Sequence, residues 1–530
     1  MSSKLSGWSF LLVITTACTA AAALPKFEMP NVAEPKIPKR TASITDFGAV
    51  PDGKTPNTDA IAKGIATLAE KGGGRLVFPP GLWLTGPIGL KSNVELHLEE
   101  GALVQFSTDY SLYPPLQLDI KGRTNTVATS PLHGENLENI AITGRGVFDG
   151  GGDAWRPVKK GKMTEPQWKQ LLAVPGSVVE ANGTLWWPSA AAKGREEKAG
   201  QHRPTLLKFV NCRRILLEGV TFQNSPGWNL HPLLCADLTL RNVSVRNPWY
   251  SQNGDGLDIE NCRNVVLRGS RFDVGDDGIC IKSGKDEEGR RIAVPTENVL
   301  IEDCVVYHAH GGVTIGSEMS SGVRNVRVNN CVFMGTDLGL RFKSLRGRGG
   351  VVEKIYISNV RMTDIATDAI GFNMYYGGQG PGEGGEGADA VAKPEPVSEK
   401  TPQFRDIYIE NVVCRGARRA VALQGLPEMP IRGIHLDDVS ITAESGVACT
   451  DALDITLNNV EILNSRGPVV SLRNSRGVLV DHLTYPAGAE ALFKADGPDN
   501  TVVVKQTDLQ AAKQDFDLVN GAARENFKVE

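Results

Sequence analysis

A short alternation of apolar and polar residues recurs along most of this chain. Each copy reads apolar-x-apolar-x, followed by Asn, Asp or Gly and, three residues later, another apolar residue. Alternation with a period of two predicts a strand, and Asn, Asp or Gly tolerates a tight bend after it. Ten copies have starts 21 to 34 residues apart, with one gap of 52. They begin at Ile215, Leu238, Val265, Val299, Val326, Ile355, Ile407, Ile434, Ile455 and Val478.

Repetition at this period is typical of solenoids. Because the unit is a strand and successive units would stack, the pattern predicts an all-β fold, a single-stranded right-handed parallel β-helix. A β-sandwich with regularly spaced strands is the alternative. Nine of the ten copies share the bend residue type, and only His482 departs from it, which disfavours the sandwich.

The open end of such a coil needs a cover. Residues 46–50 read as a first strand, and a helix is predicted from Asp59 to about Lys71, capped by Asn57 or Thr58. Its apolar stripe consists of Ile61, Ile65 and Leu68. We expect this short helix to plug the N-terminal end.

The first residues have the features of a secretory signal: Lys4, an apolar stretch from Trp8 to Ala17, and small residues up to Ala23. Export to the periplasm or the outside is therefore expected, with lipid anchoring at Cys18 as the alternative. No other segment could span a membrane. The predicted organisation is a signal peptide 1–23, a linker 24–43, a β-helix domain 44–505 and a C-terminal tail or cap 506–530.

Two stretches interrupt the repeats. Residues 149–201 contain Trp155, Trp168, Trp186 and Trp187, and residues 377–402 are rich in Gly, Pro and Glu. Long insertions in a solenoid form loops on one face, often the binding face. The first insertion is expected either to line a sugar-binding groove or to be a hydrophobic flap packed on the coil. The second is expected to be a mobile surface loop.

Eight cysteines follow the signal. Cys212 and Cys262 share one position of the repeat, and Cys304 and Cys331 share another. Export permits disulfides, but matching positions on different turns favour free, buried thiols stacked in a ladder. No Cys or His spacing supports a zinc site, and no metal or cofactor is expected.

Three carboxylates carry the candidate chemistry. Asp255 precedes the pair Asp276 and Asp277 by 21 residues, which is one turn of the predicted coil. This spacing puts Asp255 beside the pair on the next rung, about 4.8 Å away. Three clustered carboxylates resist simultaneous ionisation, so one is expected to stay protonated. Cleavage of a glycosidic bond needs one proton donor and one base.

The turns after the pair carry a histidine and several cations. His310 precedes one strand, and Arg341 and Lys343 lie in the next. Alternation requires both cations to face outward, because Phe342 between them faces the core. The same alignment makes Lys282 equivalent to Lys343.

The order Asn-x-Asp, Gly-Asp-Asp, His-Gly and Arg-x-Lys resembles glycoside hydrolase family 28, the polygalacturonase family, and especially its secreted bacterial members. The matching residues are Asn253, Asp255, Gly275, Asp276, Asp277, His310, Gly311, Arg341 and Lys343. Residues 144–150 and 224–232 also resemble the family, and the similarity runs from about Ile44 to at least Gly378. Gly254, Ala309 and Phe342 depart from the pattern of many members without removing a reactive group.

The resemblance implies an inverting hydrolase of α-1,4-galacturonosyl bonds in pectic polysaccharide. Asp276 would be the general acid, with His310 near it, and Asp255 and Asp277 would activate water. An inverting pair should lie about 6.5–9.5 Å apart. The resemblance implies that Arg341 and Lys343 bind the substrate carboxylate. We add Asn253, Lys282 and Tyr375 as candidate substrate-binding residues. Tyr375, or Tyr376 as the alternative, could stack on a sugar.

Several rivals remain at this stage. Rhamnogalacturonan or xylogalacturonan could be the substrate of the same site. A pectate lyase would use the Asp trio to hold calcium, with Arg341 as base, and a glycan-binding solenoid would need no catalysis. The net charge of −4 gives no global attraction for a polyanion, and no nucleic-acid motif is present. We expect a monomer, and one hypothesis is that residues 283–291 and the first insertion close one end of the groove, which makes the enzyme exo-acting.

Overall fold

The computed structural model describes residues 27–198, 200–377 and 392–530. The predicted signal peptide with Cys18 and the centre of the second insertion lie outside the described residues. Within them, the chain forms the predicted parallel β-helix. Strands of the coil pair in parallel with those on the neighbouring turns, so that Leu238 pairs with Ile215 and with Val265. The repeat found in the sequence therefore corresponds to one turn of the coil.

Three parallel sheets run along the coil, and we call them the front, back and side sheets. The front sheet contains Ile88–Gly89, Leu132–Glu135, Leu207–Val210, Leu230–Leu233, Leu257–Glu260, Ile279–Lys282, Gly311–Gly316, Leu338–Lys343, Phe493–Asp496 and Phe516–Val519. The back sheet contains Thr41–Ser43, Gly74–Phe78, Val94–Leu98, Glu138–Gly144, Arg213–Glu218, Ala236–Arg241, Arg263–Arg268, Thr296–Glu302, Val323–Asn329, Val502–Lys505 and Phe527–Val529. The side sheet contains Gly81–Thr85, Ala102–Phe106, Val147–Asp149, Thr221–Gln223, Ser244–Arg246, Arg271–Asp273, Val305–Val306 and Val332–Met334.

Four longer strands continue from sheet to sheet through the bends. They are Val351–Asn373, Gln403–Gln424, Ile431–Asn464 and Val470–Thr484. The first of them pairs with Val323–Asn329, Val332–Met334 and Leu338–Lys343, one strand of each sheet. The three-sheet cross-section is therefore retained in the C-terminal turns.

The bends after the back-sheet strands explain the polar fifth position of the repeat. All ten bend residues have left-handed backbone angles, with φ between 49° and 77°. These are Gly219, Asn242, Gly269, Asp303, Asn330, Asn359, Asn411, Asp438, Asn459 and His482. Asn, Asp and Gly reach this region most easily. The inward residues between the bends form one continuous apolar core, in which Phe106, Phe148 and Phe222 stack on successive turns.

The N-terminal plug is helix α1, Thr58–Glu70, which buries Ile61, Ile65 and Leu68 as predicted. The predicted strand at 46–50 is wrong. Residues Ile44–Phe47 form a 3-10 helix, because Ser43 and Asp46 make a capping box and Gly48 ends it at φ 91°. The C-terminal segment continues the coil, since Phe516–Val519 and Phe527–Val529 extend the front and back sheets.

Residues 27–37 form a strap across the outside of the back sheet. Phe27 packs edge-on against Tyr356, with ring centroids 6.1 Å apart, and the Glu28 carbonyl accepts a hydrogen bond from Asn325. Nearer the N-terminal turns, Glu34 pairs with Arg241 at 2.9 Å. The strap therefore connects turns that do not touch one another.

Further elements cover the N-terminal half of the front sheet. A hairpin of Pro115–Ile120 and Arg123–Ala128 packs on it, and helix α4, Asp286–Ile292, packs on the hairpin. The first insertion contains helices α2, Glu165–Leu172, and α3, Ala190–Glu196, and the small antiparallel sheet Val158–Lys159, Leu185–Trp187 and Val178–Val179. Short 3-10 helices lie at Tyr110–Leu112, Gly152–Ala154, Lys160–Lys162 and Arg524–Asn526.

The predicted free thiols are confirmed for the described part of the chain, where all eight cysteines are buried and free. Cys235 lies between Cys212 and Cys262 in the predicted ladder and, like them, stands three residues before the start of its repeat, Leu238. In the same part of the chain, no helix is both long enough and apolar enough to cross a membrane.

Candidate active site

The three predicted aspartates meet at the start of two neighbouring front-sheet strands. Asp255 precedes Leu257–Glu260, and Asp276 and Asp277 precede Ile279–Lys282. The main chains are tied together, since the Gly256 N–H donates to the Asp277 carbonyl at 2.9 Å. Each aspartate contributes one carboxylate oxygen to a group of three, and these three oxygens all lie within 4.8 Å of one another. The expected contact between adjacent rungs is therefore present.

Asp277 is the ionised member of the trio. Its carboxylate is buried and accepts from Lys343 Nζ at 2.6 Å, from Arg341 Nη1 at 3.0 Å and from Thr314 Oγ1 at 3.0 Å. Burial alone would raise the pKa of Asp277, but the charges of Lys343 and Arg341 outweigh burial and hold this pKa below its usual range.

Asp255 has the opposite environment. It is buried, and its Oδ1 has no hydrogen-bond partner among the described residues. Burial raises the pKa of Asp255 well above its usual range, and the charges of Asp258 and Asp276 add to this effect. The proton that a carboxylate trio is expected to retain is therefore favoured on Asp255 in the free protein.

Lys282 lies beneath the trio rather than in the open cleft. Its ammonium contacts Glu318 at 3.1 Å and Asp258 at 3.5 Å, and it lies 4.5 Å from the ring centroid of Trp228. Against the effect of burial, Lys282 lowers the pKa of Glu318 to about 2. Glu318 thus balances the charge of Lys282. Asp258, the other carboxylate near Lys282, is different, because burial raises its pKa well above the usual range. This placement favours a supporting role for Lys282 over direct contact with a ligand.

Asp276 is the aspartate of the trio that reaches the cleft, with 18% of its side chain exposed. His310 Nδ1 lies 3.2 Å from Asp276 Oδ1. The sequence predicted this position of His310 near the acid. On the other edge of the imidazole, Nε2 lies 3.6 Å from Asp337 Oδ2 and 3.4 Å from Lys162 Nζ. Sequence reasoning missed both Asp337 and Lys162. Lys162 comes from the first insertion, which has no repeat pattern to align it with the site.

The remaining predicted ligand-binding residues lie around the trio. Arg341 and Lys343 face outward, and the ring of Tyr376 lies 5.6 Å from the Arg341 guanidinium carbon. Tyr375 instead packs against the core with its hydroxyl buried, so Tyr376 is the better candidate for contact with a ligand. Asn253 lies at the surface, where its Oδ1 accepts from Arg203 at 3.0 Å.

A cleft of about 920 Å³ extends from this site toward the C-terminal turns. Its floor has small residues, Gly371 and Ala422, in line with Arg341 on successive rungs. Several basic side chains line it: Arg341, Lys343, Arg418, Arg419 and Arg466. On the opposite, N-terminal side, the hairpin and α4 form a wall over the front sheet.

The tryptophans of the first insertion belong to its own packing. Trp168 and Trp186 form a small core with Val158, and Trp155 contacts Tyr110 and Tyr113 edge-on. All four are at most 5% exposed, so they provide no stacking surface for a sugar. The insertion is therefore a hydrophobic flap that borders the cleft through Lys162.

Two departures from the family pattern have local packing reasons. A Cβ on Gly254 would collide with the Ser251 hydroxyl, so this turn has no room for a side chain. Phe342 stacks on Phe372, with centroids 4.1 Å apart, and fills the core beneath Arg341.

Comparison with known proteins decides the family. The model of the family described as Glycosyl hydrolases family 28 matches residues 160–454. The chain belongs to glycoside hydrolase family 28. A probable polygalacturonase of Vitis vinifera is 30% identical over 76% of this chain and 74% of that protein. An exo-poly-alpha-D-galacturonosidase of Dickeya chrysanthemi is 27% identical over 81% of this chain and 72% of that protein.

Among solved structures, a hyperthermoactive exopolygalacturonase from Thermotoga maritima is similar with a TM-score of 0.66 and 34% identity. The match covers 81% of this chain and 93% of that one. As a member of family 28 the protein is a glycoside hydrolase, which disfavours the lyase and the non-catalytic solenoid. The chemistry of the trio agrees, because Lys343 and Arg341 already neutralise Asp277 and would compete with a calcium ion.

Proposed function

We propose that this protein hydrolyses α-1,4-galacturonosyl bonds of polygalacturonate, a pectic polysaccharide. The observation that carries the proposal is the pair Arg341 and Lys343 beside the carboxylate trio on the cleft floor. Arg341 uses Nη1 on Asp277, which leaves further N–H donors for a substrate carboxylate. The names of the relatives from Vitis, Dickeya and Thermotoga support the same substrate.

In the proposed reaction, Asp276 gives its proton to the glycosidic oxygen while the bond from that oxygen to the anomeric carbon breaks. A water oxygen forms the new bond to the anomeric carbon, and its proton passes to the carboxylates of Asp255 and Asp277. His310 orients Asp276, and Arg341 and Lys343 bind the sugar carboxylate. Asp276 suits the role of acid because it reaches the cleft, whereas Asp255 is buried.

This assignment requires one proton to be shared within the trio. In the free protein the proton is favoured on Asp255, and it must be on Asp276 when the leaving oxygen is protonated. The contact of at most 4.8 Å between their nearest oxygens makes transfer through one water feasible. Activity should fall at high pH, when the shared proton is lost, and at low pH, when a second proton binds.

The stereochemical outcome is a separate question. The nearest oxygens are closer than the separation of about 6.5–9.5 Å that is typical of inverting pairs. We propose inversion on the strength of the family motif, with water held between Asp255 and Asp277. Proton NMR of the first product anomer tests this, and a product that keeps the α configuration would contradict it.

Exo action is proposed from the shape of the cleft. The hairpin and α4 wall its N-terminal side, while its C-terminal side is open. A chain end, rather than an internal segment, would fit against this wall. We expect short products from the start of digestion, and an early ladder of long oligomers would contradict exo action.

The decisive assay follows reducing ends and ultraviolet absorbance during digestion of polygalacturonate, with wild type beside Asp276→Asn. Saturated galacturonate released by wild type and not by the variant would support hydrolysis with Asp276 as the acid. No release by folded wild type would refute the substrate, and rhamnogalacturonan and xylogalacturonan would be tested next. Export and a monomeric state remain predictions, tested by N-terminal sequencing of the exported protein and by light scattering.

A further inference from the structure

An outward ladder of polar residues leads from the trio toward the walled end of the front sheet. Lys208 pairs with His133 on one side and with His231 on the other. On the next rung Leu230 pairs with Leu257, which brings Asp258 into line with His231. Because rungs are about 4.8 Å apart, Lys208 lies roughly 10 Å from the rung of Asp258. This ladder has no assigned role in the reaction above.

Lys208 is the cation of this ladder. Leu207 and Phe209 on either side face the core, so the lysine faces outward. Within residues 27–198, 200–377 and 392–530, its ammonium has no hydrogen bond or ion pair. Burial lowers the pKa of Lys208, and the charge of Glu260 opposes this effect. Glu260 lies beyond ion-pair distance and is bonded to His231, so the half-buried ammonium keeps the capacity to bind an anion.

The neighbours of Lys208 have further unused polar capacity beside an aromatic ring. His231 Nε2–H donates to the Glu260 carboxylate at 2.7 Å, which leaves its buried Nδ1 as an acceptor with no partner among the described residues. The partly exposed ring of Trp228 stands edge-on to His231, with centroids 5.0 Å apart. A cation, an imidazole and an indole together suit a sugar that carries a carboxylate.

The wall stands directly beside this ladder. Val210 and Leu233 are the second outward residues of the same two strands, and both are covered by Leu118 and Ile120 of the hairpin. Arg291 of α4 in turn donates to the Ile120 carbonyl at 2.8 Å. Lys208 therefore lies at the foot of the wall, on the other side of the trio from Arg341.

We propose that the terminal galacturonate abuts the wall with its carboxylate on Lys208 and with one of its hydroxyls donating to His231 Nδ1. This inference rests on the proposed function and adds a second carboxylate site, across the cleaved bond from Arg341 and Lys343. The site would make the enzyme selective for an unesterified chain end. A methyl ester or galactose there would leave the ammonium unpaired.

Steady-state kinetics on trigalacturonate tests the site with Lys208→Met, Lys208→Arg and the matched control Lys494→Met. Lys494 occupies the same outward position five rungs beyond Arg341, out of reach of a trimer. Loss of a charged hydrogen bond should raise KM about 10- to 100-fold for Lys208→Met. We expect kcat to change little, Lys208→Arg to recover most of the loss, and the control to match wild type.

A trimer methyl-esterified at the terminal unit separates binding from folding defects. The Lys208→Met change should have little further effect on this poor substrate. An equal rise in KM for acid and ester, or no rise for the acid, would overturn the proposal. Calorimetric titration with galacturonate and galactose keeps the test independent of turnover. Wild type should bind galacturonate at one more site than Lys208→Met does, and galactose at neither carboxylate site, even if polygalacturonate proves not to be the substrate.

Discussion

Replacing Lys343 with Met should destabilise the protein strongly. The Lys343 ammonium lies 2.6 Å from Asp277, and the two side chains are 6% and 1% exposed. Removing one partner leaves a buried carboxylate with Arg341 as its remaining cation, and breaking a buried pair costs about 3–5 kcal/mol. We expect a loss of this size in the free energy of unfolding.

The same structure offers a control. Arg466 and Glu444 also approach to 2.6 Å, but their side chains are 63% and 55% exposed. Arg466→Met should therefore cost less than about 1 kcal/mol. The double variant Asp277→Asn with Lys343→Met should cost less than the sum of its single changes, because both buried charges are removed together.

Guanidinium unfolding at neutral pH, followed by far-ultraviolet circular dichroism, measures these differences. A loss for Lys343→Met no larger than for Arg466→Met would refute the reasoning, because Asp277 would then not depend on its cations. Additive single changes would refute it as well. The assay needs no substrate, so its result is independent of the proposed reaction.

Three further outcomes are expected. Lys162→Met should lower kcat/KM about tenfold or more, because a charged contact to His310 is lost; Lys159→Met, on the same insertion, should have no effect. Asp258 has a raised pKa, so its stabilising protonated form is present at acid pH and lost as the pH rises. Asp258→Asn should therefore melt at a higher temperature than wild type at about pH 8 but not at about pH 4. The same difference in melting temperature at both pH values would contradict this. Phe27→Ala should lower the melting temperature by a few degrees through lost contact with Tyr356, and an unchanged value would show that the strap does not stabilise the coil.

The sequence predicted those parts of the site that the coil itself positions. One repeat is one turn, so spacing alone placed Asp255 beside Asp276 and put Arg341 and Lys343 on the outer face. The left-handed bends were predictable because few residue types reach a positive φ.

Most of the missed features come from segments without a period. Asp337 is the exception, since Gly311 pairs with Leu338, which puts Asp337 in register with His310. Lys162 reaches His310 through a flap whose path depends on its own small core. The strand predicted at 46–50 failed because a capping box and a left-handed Gly48 turned an apolar stretch into a 3-10 helix. Tyr375 and Tyr376 are adjacent, and the turn that holds them, with its bridge between Leu345 and Tyr375, has no periodic signal that would show which of them faces the cleft.

The strap has a consequence for the order of folding. In a solenoid each turn contacts only its neighbours, so turns can form one after another as the chain is made. The strap is made first, but its partners Arg241, Asn325 and Tyr356 are made more than 200 residues later. It can dock only when those turns exist. Its docking is then a late step that joins distant turns, and unfolding of this half of the coil should be more cooperative than contacts between neighbouring turns alone would make it.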